Sequence, residues 1–253
     1  MKIIEIQSIR RSGHHALANW LINNLLDRDG SIGYCTDKYN IINDGEVLWV
    51  NEAEYDLNQT KKVISINKPN YVFLTYEVFL YKHNSNSKPH VKDNINSLIL
   101  TPYLEEKWGV TSYHNYSFVR EFWNNFASLF TNFPFYQEGN KNDEVQQWVN
   151  YYKTSLKYNY ETNGGVFDLW IQNSEYANEI SNYLINKDNK LNPLNITGTK
   201  SSFKNSELTV KNLLNRSQLI TFPDWFIEMV NSDEELLELL SKQQLLICSG
   251  YLK

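Results

Sequence analysis

Lys2-Ile3-Ile4-Glu5-Ile6-Gln7 runs directly into Ser8-Ile9-Arg10-Arg11-Ser12-Gly13-His14-His15. The first six residues are short and Ile-rich and predict a strand. Beyond the loop, Leu17, Trp20, Leu21 and Leu25 recur at helical spacing and predict a helix over 14–27. A strand, a polar glycine-containing loop and a helix in that order make an anion site, because backbone N–H groups and the dipole at a helix N-terminus favour negative charge. Arg adds a planar fork that grips two phosphate or sulfate oxygens at once. Arg10, Arg11, His14 and His15 bring four cation-capable side chains into six residues. The plainer reading is an exposed basic turn; the flanking strand and helix argue against it.

The same alternation continues outward. Short strands are expected at 31–35, 46–50 and 62–66, and a stronger one over 71–76 that ends at Glu77. A helix over 91–107, bent at Pro102, precedes a strand over 115–119 that ends at Arg120. The next helix carries Phe122, Phe126, Leu129 and Phe130 on one face. An amphipathic helix is expected at 143–158, a strand at 165–170, and a helix capped by Ser174 that runs to 186. Helices at 207–215, 223–231 and 233–243 close the chain, with Pro223 in a first turn and Ser232 and Glu235 as a capping box. Strands alternating with helices imply a parallel sheet covered on both faces, hence an α/β three-layer sandwich, here one domain over 1–253. Ligands of such sheets bind at the carboxyl ends of the strands. That rule singles out the 8–15 loop, Glu77, Arg120 and Asp168.

Composition narrows the function. The chain has 253 residues, and its 24 Lys+Arg against 29 Asp+Glu give a net charge of -5, which argues against a general nucleic-acid or anionic-membrane binder. With 42% hydrophobic and 14% aromatic residues it has enough apolar material for a sizeable core. Cys35 and Cys248 have neither metal spacing nor a disulfide framework, so a reducing cytoplasm is expected. No apolar run approaches the ~18 residues of a membrane span. Arg10-Arg11 is followed by His14, His15, Asn19, Asn23 and Asn24 without a small-residue cleavage site, unlike a twin-arginine export segment. The chain holds 33 Asn but only five Arg, namely Arg10, Arg11, Arg28, Arg120 and Arg216, so each Arg can be weighed singly.

The loop lacks the G-x-x-x-x-G-K-[ST] pattern by which nucleotide triphosphatases hold phosphates and Mg²⁺. It resembles instead the phosphosulfate-binding loop of the sulfotransferases that use 3′-phosphoadenosine-5′-phosphosulfate (PAPS), in which a strand leads into a basic residue, Ser, Gly, two polar residues and a helix. Arg-Arg-Ser-Gly-His-His-Ala with Asn-Trp shortly after is similar to a bacterial and viral branch of that family. Arg11 stands where Lys is usual, Ser12 and Gly13 match, and His14 and His15 replace the commoner Thr pair. A second segment carries the resemblance further. The family has an Arg at a strand end and a Ser eight residues later, both on the 3′-phosphate, and Arg120 and Ser128 have that separation. Glu121 and Phe122 depart from the family's Asp and Pro. Weaker likeness continues at 166–170, at Glu175, Tyr176 and Ile180, and at 198–203 with Asn215-Arg216, where Lys200 and Ser201 resemble donors to the 3′-phosphate in a loop covering the nucleotide.

The resemblance implies the P-loop-like sulfotransferase fold and in-line sulfuryl transfer from PAPS to a hydroxyl or amine of a glycan or small molecule. Arg10, Arg11, Ser12, Gly13, His14, His15, Arg120, Ser128, Lys200 and Ser201 would hold the cofactor, and no metal is required. By analogy with phosphoryl transfer, catalysis is positioning and electrostatic stabilisation, assigned to Arg11, with His14 or His15 adding a donor or a proton. Glu77 is the first candidate base, with Asp168 and His14 in reserve. The competing expectations are a phosphotransferase with a degenerate loop and a non-catalytic nucleotide-binding protein that keeps the fold.

Overall fold

Ile4 and Ile6 belong to one apolar cluster, with Leu17, Trp20 and Leu21, while Ile3 belongs to another, with Leu48, Val50, Val72, Leu74 and Leu104. Alternate side chains of a strand point to opposite faces, so both faces of this strand are buried. The computed structural model describes residues 1–9, 12–28, 39–42, 45–51, 68–77, 104–139, 141–188 and 210–249. Within them, β1 (Lys2–Ser8) leads to α1 (His14–Leu25), then β2 (Tyr39–Ile42), β3 (Val47–Asn51), β4 (Tyr71–Glu77) and β5 (Ser112–Val119). Next come α2 (Phe122–Asn132), α3 (Asn142–Glu161), β6 (Gly165–Val166), α4 (Phe167–Gln172) and α5 (Ser174–Ile185). After these lie α6 (Val210–Leu214), a 3₁₀ turn at Arg216–Leu219, α7 (Asp224–Asn231) and α8 (Glu234–Ser249).

The sheet order is β2-β3-β4-β1-β5-β6. Its five strands from β3 to β6 are parallel, and β2 pairs antiparallel with β3 at the edge. Helix α1 packs on β1 and β4, and α3 packs on β5. The opposite apolar cluster is closed by Leu104, in a helical turn at 104–108. This is the covered parallel sheet that the alternating pattern implied. No described helix is long and apolar enough to cross a membrane.

Several expectations require correction. The run at 165–170 is a strand only at Gly165–Val166, where it pairs with Phe118 and Val119, and is helical from Phe167. All of Phe167, Asp168, Leu169, Trp170 and Ile171 are buried, so no apolar period distinguished strand from helix. Asp168 therefore stands in the first turn of α4, not at a strand end. Helix α5 is capped by the Asn173 side chain, which accepts from the N–H groups of Glu175 and Tyr176; Ser174 is its first residue. Asp233 caps α8 by accepting from Leu236 N–H at 3.0 Å, while the Ser232 hydroxyl turns back to the Met229 carbonyl. Glu235 pairs with Lys153 and Lys157 rather than closing a capping box. Pro223 precedes α7 instead of opening it. The strands expected at 31–35 and 62–66, and most of the helix at 91–107, lie outside the described residues.

Candidate functional site

β1 lies at the centre of the sheet, and its connection leads toward β3 and β4, whereas that of the adjacent β5 leads to β6 on the other side. Two neighbouring strands whose connections part leave a crevice at their carboxyl ends, the usual ligand position in open α/β sheets. The loop after β1 and Arg120 after β5 both arise there.

The loop is built for close approach. Ser12 N–H closes a turn onto the Ile9 carbonyl at 3.1 Å, and Gly13 takes φ +83° as the N-cap of α1. A side chain at Gly13 would be strained twice, because a Cβ there would lie 2.5 Å from Cδ2 of Phe167. His14 opens α1 and is 2% exposed, and neither of its ring nitrogens has a hydrogen-bond partner among the described residues. Burial, and then the neighbouring His15, hold its pKa well below the ordinary imidazole value, so it is neutral. The His14 and His15 rings lie 4.0 Å apart, and His15 meets the edge of Trp49 from β3.

The second segment is equally buried. Arg120 is 2% exposed, with its guanidinium 4.6 Å from the centre of the Phe167 ring and its Nη2 donating to the Leu213 carbonyl. Its Nε has no hydrogen-bond partner among the described residues. The Arg120 carbonyl accepts from Tyr152 and from Gln243, which anchors the strand end to α3 and α8. Burial pulls the Arg120 pKa down, opposed by the charges of Asp168 and Glu121. The Asp168 carboxylate accepts from Glu121 N–H at 2.6 Å and from Asn124 Nδ2 at 3.4 Å, and burial raises its pKa. Glu121 caps α2 by accepting from the N–H groups of Trp123 and Asn124. Burial raises its pKa to about 7, with Asp168 adding to the shift.

The expected site residues divide clearly. Ser12, Gly13, His14, His15, Arg120 and Ser128 stand in α1, α2 and the loops before them. Ser12 is joined to the second segment, since Asn125 Nδ2 donates to its hydroxyl at 3.4 Å. Glu77 ends β4 in backbone register with Ser8. Arg10, Arg11, Lys200 and Ser201 lie outside the described residues. Arg216 Nη1 donates to the Ser128 hydroxyl at 3.2 Å, which brings a second guanidinium to the second segment. Asn124 was not foreseen, yet its Nδ2 donates to the Leu214 carbonyl at 2.6 Å and its Oδ1 accepts from Ser217 N–H at 3.1 Å. Arg120, Asn124 and Ser128 thus all hold the 213–217 segment. The only sequence signal for that role was their spacing of four from the end of β5 into α2.

Among the described residues no three His, Cys, Asp or Glu side chains gather closely enough to hold a metal ion. The unpartnered His14 nitrogens and Arg120 Nε, with His14 at the N-terminus of α1, fit an anionic ligand. No family model, curated protein or solved structure matches this chain.

Proposed function

We propose that this chain is a sulfotransferase that moves a sulfuryl group from PAPS to a hydroxyl or amine of a glycan or small molecule. The observation that supports it best is the meeting of the two resembling segments. They are far apart in sequence, yet Ser12 of one and Asn125 of the other are hydrogen-bonded at the carboxyl ends of adjacent parallel strands. An accidental likeness in two separate segments would not require them to meet.

On this reading the N-terminus of α1, Ser12, His14 and Arg11 receive the 5′-phosphosulfate, and Arg120, Ser128 and Arg216 receive the 3′-phosphate. PAPS supplies the sulfuryl group and a phosphate leaving group. The acceptor oxygen forms a bond to sulfur as the bond from sulfur to the bridging oxygen breaks, and the electron pair of that bond leaves on the 5′-phosphate. The acceptor proton passes to Glu77, in register with Ser8 at the carboxyl end of β4. Arg11 and the α1 N–H groups stabilise charge growing on the leaving oxygen. Neutral His14 donates one N–H without adding a full charge to the buried site.

The test is transfer of labelled sulfate from PAPS to a panel of hydroxyl and amine acceptors in excess chelator. Labelled product, lost in Arg11→Ala, supports the reading. Transfer of the γ-phosphate of ATP that is abolished by chelator would replace it with a phosphotransferase.

A further inference from the structure

Phe167 touches both halves of the candidate site. Its ring is buried and fills the space where a Gly13 side chain would stand, 2.5 Å and 2.6 Å from the position of a Cβ there. The Arg120 guanidinium lies 4.6 Å from the centre of the same ring. One aromatic ring therefore separates the loop after β1 from the cation after β5. The ring is wedged in turn, edge-on to Phe118 at 6.2 Å and tilted against Trp170 at 5.7 Å. Its backbone follows β6, whose Val166 pairs with Val119 directly before Arg120. A cation is attracted to an aromatic face and takes its orientation from it. With Nη2 on the Leu213 carbonyl and no partner on Nε among the described residues, the ring restricts the guanidinium where hydrogen bonds do not.

We infer that Phe167 is a positioning residue: its ring sets the spacing between the anion site at the start of α1 and the Arg120 guanidinium, and so selects a nucleotide with anions at both its 3′ and 5′ positions over one with a 5′-phosphate alone. The inference rests on the sulfotransferase reading above and adds to it the residue that couples the two ends of the ligand.

Calorimetric titration of 3′-phosphoadenosine-5′-phosphate and of adenosine 5′-monophosphate separates a positioning role from a packing role. In Phe167→Leu the preference for the bisphosphate falls by about tenfold, the scale of a desolvated cation–π contact, while affinity for the monophosphate changes far less. Phe167→Tyr keeps the ring and keeps the preference. If Phe167→Leu gives no cooperative thermal transition, Phe167→Met must show the same split. Equal losses for the two nucleotides mean that the ring only packs, and an unchanged preference means that Arg120 is oriented without it; either overturns the inference and leaves the sulfotransferase reading intact. Wild-type protein that binds neither nucleotide overturns both.

Discussion

Asn125 Nδ2 donates to the hydroxyl of Ser12 at 3.4 Å, across 113 residues of sequence. Both residues are buried, so the bond ties the loop after β1 to α2 within the core. Asn125→Ala leaves the Ser12 hydroxyl short of that donor and opens a small cavity, and stability falls by about 1–3 kcal/mol in urea denaturation. Anion affinity falls with it, because the loop is no longer held to the second segment.

Gly13→Ala is more severe. The left-handed conformation costs about 1–2 kcal/mol and the encounter with Phe167 about 1–3 kcal/mol, so the melting temperature falls by several degrees. Gly13→Ala made together with Phe167→Ala destabilises by less than the sum of the two single changes, because the steric component disappears while the dihedral component and the cavity remain. The two single variants and the double variant, followed by thermal unfolding, separate the components.

Glu121 makes stability depend on pH in an unusual direction. Its pKa is 4.5 in an ordinary environment and about 7 here. Between those values the folded chain keeps a proton that the unfolded chain has released, so folding stability decreases as pH rises. This contribution is fully present below 4.5 and is lost by the time pH has passed about 7. Asp168, also raised by burial, acts in the same direction. Denaturation midpoints measured across this range fall with pH in the wild type and fall less steeply in Glu121→Gln. An equal slope in the two proteins would remove Glu121 as the cause.

Asn124 fastens the 213–217 segment at two points, the Leu214 carbonyl and the Ser217 N–H. In Asn124→Ala the amide of Ser217 exchanges with deuterium faster by roughly five- to thirtyfold, since a hydrogen bond to a buried side chain contributes about 1–2 kcal/mol of local protection. The amides of β1 and β5 keep their protection, as they pair within the sheet.

The sheet was legible in the sequence because β1 is Ile-rich, β4 is largely an apolar and aromatic run, and β5 ends in Tyr116, Phe118 and Val119. Segment 165–170 misled because a two-residue strand passes into a helix whose first residues are all buried, and period carries no information there. β2 was missed, as Tyr39–Ile42 is short and lies at an edge. Helix caps shifted by one residue at Asn173 and Asp233, because Asn, Asp and Ser are all competent caps and adjoin one another at both sites. Ser12, Gly13, Arg120 and Ser128 were singled out by the strand ends they follow and by the motifs they resemble. Asn124, Asn125 and Phe167 were not, because an Asn is inconspicuous among 33 and a Phe beside Trp170 reads as core. What distinguishes those three is a partner distant in sequence, which no local pattern records.

The most direct test of the account is the melting temperature of the wild-type chain in chelator, titrated with 3′-phosphoadenosine-5′-phosphate and, in parallel, with ATP and Mg²⁺. Specific binding stabilises the folded state by about 2.7 kcal/mol when ligand reaches a hundred times its dissociation constant. The account predicts a rise that grows with the logarithm of the 3′-phosphonucleotide concentration and is absent in Arg120→Met. No rise at millimolar 3′-phosphonucleotide, or a larger rise with ATP and Mg²⁺, would contradict it.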